Sequence, residues 1–324
     1  MKSLLGKRLL LVSLAMSLVM WCLAVLPPAV MVEKASAAPT DLQLASRWAP
    51  IHYQDTDSSD YDADYITAVN YDGDWNAKNN WEHQDDNVNN LKAKVYFSVV
   101  ETSTHWHIVY SFFHPRDWVD YQDFGLDSHE NDMEGVLTVV RKDGTTYGKL
   151  EAMVTVFHTN FYSYTPSGST YQNGQENIDG SIRRASYGGY SRPTTFQEAK
   201  GHGLKAWDGS SFPGGDGIIY YPSTTTAEVP SGGNDRSVQY QLIDTFASGG
   251  LWAQRNNSLT FASWGSFSGD NGKDNAANAA WGWDDGDDGN VFRGEMATDP
   301  AKLIATYFSN IGSFSRTYLR NSYL

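Results

Sequence analysis

The chain has 324 residues and a formal net charge of −14, and beyond residue 37 it carries 20 basic against 37 acidic residues, a net −17. So acidic a surface repels nucleic acid and anionic bilayers and excludes both as expected partners. The one cysteine, Cys22, falls inside the first 37 residues, which excludes disulfides and thiol chemistry from the rest.

Residues 1–37 are read as a signal peptide. Lys2, Lys7 and Arg8 precede an apolar run, and Ala35-Ser36-Ala37 is a small-residue cleavage site. The alternative is a retained anchor, since the run is about long enough to span a bilayer. Pro27-Pro28 and the small-residue site favour cleavage. The expectation is therefore a secreted, extracellular, monomeric protein without a stable membrane anchor. Residues 38–324 are long enough to be held by one core without disulfides.

Tyr, Trp, Gly, Ser, Thr and Asn are abundant, and the apolar runs are short. This predicts an all-β, single-domain β-sandwich with long surface loops and a few short helices. Strands are expected at 49–53, 66–71, 92–100, 105–114, 132–142, 147–157, 217–221, 237–244 and 259–262. Both faces of 105–114 are apolar, as in a doubly covered central strand. Residues 159–200 are poor in aliphatics and read as a surface excursion, with a short helix at 194–200. Thr298-Asp299-Pro300 reads as a capped helix start, running to about residue 308.

One stretch has the residue types of a site. Tyr110-Ser111-Phe112-Phe113-His114-Pro115-Arg116-Asp117 ends one strand-like run, and His129-Glu130-Asn131-Asp132-Met133-Glu134-Gly135 begins the next. If the two pair as a hairpin, Asp117, His129, Asp132 and Glu134 meet at its mouth. Asp132 and Glu134, two apart, share a strand face. His129 lies in the loop just before and can fold back over that face. Three carboxylates and one imidazole suit a hard divalent cation, Mg²⁺ or Ca²⁺ first and Mn²⁺ next. The bland alternative is a solvated acidic turn with an incidental histidine.

His158 and His202 stand in turns and are candidates for a second shell, or for a base acting on metal-bound water. Asp284, Asp288 and Glu295 fit parts of a calcium-loop template, with Gly286 where a ligand belongs. Trp252, Trp264, Trp281 and Trp283 read as core first and as a sugar platform second.

The two motifs resemble those of the necrosis- and ethylene-inducing-like proteins, secreted cytolysins of plant-associated microbes. They also resemble a related set of vacuolar-sorting-associated-type proteins that shares the His/Asp/Glu pattern. The resemblance covers about 25 residues, Tyr110 to Gly135. It implies a β-sandwich similar to actinoporins and a divalent cation held by Asp117, His129, Asp132 and Glu134. Ser128, Asn131 and Met133 depart from the toxin pattern, which has Gly, His and Trp at those places. The implied function is recognition of a glycan or glycolipid headgroup at a cell surface. The alternatives are a metal-dependent hydrolase of a phosphoester or glycan, and a structural exoprotein whose cation only steadies a loop.

Overall fold

A computed structural model of the chain describes residues 38–86, 88–273, 276–286 and 291–324. Residues 1–37, where a signal peptide is expected, and the candidate ligand Asp288 lie outside the described residues. Helix α1 (Asp41–Trp48) starts at a reciprocal cap. Gln43 N–H donates to Thr40 Oγ1 at 3.2 Å, and Thr40 N–H donates to Gln43 Oε1 at 2.9 Å. The helix buries Leu44, Ala45 and Trp48 and stops before Pro50.

The strands that follow are β1 (Ile51–Asp55), β2 (Lys94–Thr102), β3 (His105–Asp117), β4 (His129–Arg141), β5 (Lys149–Phe157) and β6 (Asn160–Thr165). Next come β7 (Gln172–Asn173), β8 (Ile178–Ser181), β9 (Arg184–Tyr187), β10 (Tyr190–Gln197), β11 (Leu204–Ala206), β12 (Gly217–Ser223) and β13 (Val238–Asp244). Short helices α2 (Asn80–Asp86), α3 (Glu295–Thr298) and α4 (Pro300–Tyr307), strands β14 (Phe308–Ser309) and β15 (Tyr318–Arg320), and several 3₁₀ turns complete the described elements.

One hydrogen-bonded sheet runs in the order β11-β10-β1-β12-β13-β2-β3-β4-β5-β6-β8. Its edge strand β11 packs back onto β5 and β4, so the sheet curls into a half-barrel. The expected class holds at that level: mostly β, with few short helices. Pro39–Leu324 forms one compact unit. No described helix is long and apolar enough to cross a membrane.

The β3–β4 ladder is the longest pairing, and nearly every residue in it is buried. This agrees with the apolar faces read along 105–114. Residues 66–71 and 259–262 are not strands; they contribute isolated bridges, Thr67 to Phe113 and Phe261 to Phe267.

The segment 159–200 differs most from expectation. It holds five strands, β6 to β10, and β10 sits between β11 and β1 inside the sheet. The helix expected at 194–200 is strand up to Gln197, as β-branched Thr194 and Thr195 and aromatic Phe196 favour. Its polar side chains are buried because they find partners, His52 Nδ1 to Thr195 Oγ1 at 3.0 Å and His114 Nε2 to Gln197 Oε1 at 3.2 Å. Helix α4 does begin with Pro300, but Asp299 binds the Tyr318 hydroxyl instead of capping the backbone.

Candidate functional site

The hairpin expected from the two motifs forms. Asp117 lies across from His129, His114 from Asp132, and Phe112 from Glu134. His129 is thus the first residue of β4, not a loop residue folding back. Between these pairs Pro115 has no N–H to give, and Asn131 adopts φ +62°. That left-handed residue interrupts the strand's alternation. Glu130 turns away and accepts from the N–H groups of Trp81 at 2.9 Å and Asp270 at 3.1 Å. His129 joins Asp132 and Glu134 on the other side, facing a cleft.

Asn131 suits this place on two counts. Asparagine tolerates left-handed backbone better than most residues. Its buried amide also ties three segments together. Nδ2 donates to the carbonyls of Ala77 at 2.9 Å and Ser268 at 3.0 Å, while Oδ1 accepts from Asn80 at 2.7 Å. Met133 is packed under Trp283, whose Nε1–H donates to the Met133 carbonyl at 2.7 Å. Gly135 leaves the room for that indole, since a Cβ there would lie 2.8 Å from Trp283 Cζ2.

The cleft has a volume of about 400 Å³, and Asp117, His129, Asp132 and Glu134 all line it. Glu134 Oε1 accepts the His158 backbone N–H at 3.0 Å, whereas Oε2 is buried without a partner among the described residues. Burial first, and then the charge of Asp132, push the Glu134 carboxyl well above the usual carboxylate range. His129 Nδ1 donates to the Asn131 carbonyl at 2.9 Å, which turns Nε2 toward Asp117 Oδ2 at 3.4 Å. Burial opposes a charge on this ring, but Asp117 raises its pKa overall.

These donors have the chemistry a hard cation needs. The orphaned Glu134 Oε2 would gain a partner, and an Nδ1-protonated His129 would offer its Nε2 lone pair. Their spacing is wider than a closed shell. No three of the four bring donor atoms within 4.8 Å of one another; among the described residues only Asp60, Asp62 and Asp85 do so. That second cluster can hold a metal ion, but Arg116 already pairs with Asp60 at 3.1 Å and Asp85 at 2.9 Å. A cation held by three or more of them therefore requires some of these side chains to rotate inward.

The two candidate histidines part company. His158, at φ +57°, lines the cleft and places Nε2 3.0 Å from Glu198 Oε1. His202 is fully buried under Asp132. Its Nδ1 meets Asp132 Oδ2 at 3.1 Å and its Nε2 meets Asp64 Oδ1 at 3.2 Å. Its ring stacks on His114 at 3.7 Å. Burial works against its charge, yet hydrogen bonds and charges from Asp132 and Asp64 raise its pKa to about 10. With both nitrogens engaged, His202 has none left to act as a base in the cleft.

Of the calcium-loop candidates, Asp284 lines this same cleft. Glu295 is buried and bound to Lys302 at the start of α3. The two therefore serve different surroundings. Trp281 and Trp283 are core, and Trp264 is half exposed beside Trp252.

Asp64, Lys200 and Lys273 were not legible as site residues. Lys200 Nζ bridges Asp57 at 2.9 Å and Asp120 at 2.8 Å, fastening the loop after β3. The only sequence sign of the Asp64–His202 pair is Gly201-His202-Gly203, where His202 takes φ +54°.

No protein-family model matches the sequence, and no curated protein does. Solved structures are similar to it at low identity. One, described as a toxin fold for microbial attack and plant defense, is 16% identical, covers 64% of this chain and 75% of that one, and has a TM-score of 0.33. Necrosis and Ethylene inducing Protein 2, from the causal agent of cocoa's Witches Broom disease, is 12% identical over 68% and 90% of the two chains, with a TM-score of 0.32. NLPPya in complex with mannosamine is 15% identical over 64% and 79%, also at 0.32. The neighbours are thus necrosis-inducing toxin-fold proteins, and such similarity settles neither ligand nor metal.

Proposed function

We propose that the protein is a secreted, cation-dependent binder of a glycan or glycolipid headgroup, cytolysin-like in its mode of action. The observation that supports it is the cleft: three carboxylates and an imidazole line it together, and Glu134 Oε2 is buried there with no partner among the described residues. Asp117, His129, Asp132 and Glu134 hold Mg²⁺, Ca²⁺ or Mn²⁺, and the cation orients sugar hydroxyls in the open remainder of the cleft. Asp284, which lines the same cleft, adds an oxygen. In this reading the curled sheet is a sandwich of the actinoporin kind, the chain is cleaved after residue 37, and it acts as a monomer outside the cell.

Calorimetric titration with each cation, then with mannosamine and glucosamine in its presence, tests the reading. Wild type binds cation and sugar in that order of dependence, and Asp132→Asn loses both. Sugar binding that persists in chelator overturns it. The pairing of His158 with Glu198 at the cleft edge favours a second reading, a metal-dependent hydrolase with His158 as base. Chelator-sensitive turnover of a phosphoester or glycan that falls in His158→Gln would support that reading instead.

A further inference from the structure

Positive charge gathers beside the turn after β4, where Trp48 Nε1 donates to the Tyr147 carbonyl at 2.8 Å. Arg47, Arg184 and Arg192 gather there around two rings. Arg47 lies 4.0 Å from the Trp48 ring centre and 4.8 Å from that of Tyr190. Arg184 stands 5.8 Å from Trp48, and Arg192 stands 5.4 Å from Tyr190. Guanidinium and ring alternate, a favourable cation–π arrangement. Among the described residues none of the three forms an ion pair with a carboxylate, in a chain with 38 acidic residues.

The fold accounts for one of them. Arg192 is 3% exposed and donates to the carbonyls of Ser46 and Ala49 at the end of α1, and to Tyr187 at 3.1 Å. Those helix-end carbonyls need donors, and the helix dipole is negative there. Arg47 and Arg184 have no such use. Of the five N–H donors of a guanidinium, Arg47 uses one among the described residues, to the Ser191 carbonyl at 3.2 Å. Arg184 makes no side-chain hydrogen bond among the described residues and is exposed.

Arg47 also lines a groove of about 280 Å³ with Leu42, Ser46, Tyr147, Tyr190 and Thr224. The groove offers a cation with free donors, two tyrosines set edge to face at 6.4 Å, and two hydroxyls. Tyr147 sits in the turn after Arg141, and Arg141 pairs with His105. The 13 residues of β3 place this turn about 40 Å along the strand from Asp117, so the groove is separate from the cleft.

We infer that this groove is a second ligand site, for a carboxylate-bearing sugar. The carboxylate pairs with the planar fork of Arg47, and Arg184 adds charge at the rim. The C–H face of the sugar ring covers the tyrosines, and Ser46 and Thr224 meet its hydroxyls. A neutral sugar leaves the guanidiniums uncompensated. A bare phosphate leaves the aromatic walls open.

Titration of the full chain with glucuronate, glucose and inorganic phosphate at fixed ionic strength, followed by calorimetry and by NMR of the sugars, tests the site. Glucuronate saturates it, binds about tenfold or more tightly than glucose, and weakens as salt rises. Arg47→Gln removes this binding, while Asp132→Asn, at the other end of the molecule, leaves it intact. Equal binding of glucose and glucuronate, phosphate binding as tight as glucuronate, or no saturable binding of glucuronate each overturns the inference. The wild-type comparison stands even if the Arg47 variant folds poorly.

Discussion

The backbone N–H of His158 donates to Glu134 Oε1 at 3.0 Å, and the other oxygen of that carboxylate is buried with no partner among the described residues. One hydrogen bond satisfies one oxygen of the group, and the residue lines the cleft. A buried carboxylate left half satisfied is costly. If a cation supplies what is missing, binding should register as stability. Saturating divalent cation, at about 100 times its Kd, should raise wild-type stability by about 2.7 kcal/mol. In Glu134→Gln that increment should vanish while the metal-free protein unfolds no earlier than wild type. Thermal unfolding with and without chelator checks both halves.

His202 holds a different kind of pair. Its ring is fully buried between Asp64 and Asp132, and Asp64 also accepts from Trp118 Nε1 at 3.1 Å and Lys200 N–H at 2.7 Å. Removing the imidazolium strands a buried charge. His202→Ala should therefore cost about 3–5 kcal/mol of stability. The double change Asp64→Asn with His202→Ala should recover a good part of that loss. Denaturant unfolding of the two variants gives the comparison, and equal losses would show that Asp64 is not what the histidine serves.

The hairpin was legible in the sequence because its signals are local. Alternating apolar residues lead into Asp117, and acids two apart mark the face of the next strand. Three things were not legible. Asn131 looked like a departure from a histidine pattern, whereas it supplies left-handed backbone and an amide for three distant partners. Thr194 to Gln197 looked like surface, because polarity alone does not show that His52, His114 and His202 are waiting to pair with it. Asp64 gave no sign at all, since its histidine lies 138 residues away.

Buried neutral histidines should make the fold labile to acid. His52 and His107 are fully buried, and burial lowers each pKa to about 3; burial lowers His105 to about 4. In the unfolded chain each titrates near 6.5. A depressed folded pKa contributes stability that is present above about pH 6.5 and is lost as pH falls toward the folded values. At pH 5 each ring should cost about 2 kcal/mol, a large share of a typical domain's stability. Among the described residues the His107 ring nitrogens have only a backbone contact, with Val100, weak enough that burial outweighs it, so His107→Phe should cost little at pH 7. It should also flatten the acid limb by about one proton. Urea unfolding at several pH values between 4.5 and 7.5 measures the slope, and an unchanged slope in the variant would remove His107 from the account.

Asn131 gives the sharpest test of how the cleft is built, because its backbone and its side chain can be separated. Asn131→Ala removes the amide and leaves the carbonyls of Ala77 and Ser268 and the amide of Asn80 short of partners. It also puts a Cβ residue with no compensating side chain at φ +62°. Lost partners cost about 1–3 kcal/mol each when buried, and left-handed backbone adds about 1–2 kcal/mol for an ordinary residue. Asn131→Gly loses the same hydrogen bonds but not the backbone conformation. The alanine variant should therefore be the less stable of the two by about 1 kcal/mol in urea unfolding. Both should weaken cation binding, since His129 is held on the cleft side by the turn at 131 and by its bond to the Asn131 carbonyl. If alanine and glycine unfold alike, the left-handed conformation is not what places His129. If cation affinity survives in both, His129 is not a ligand, and the cation rests on the carboxylates alone.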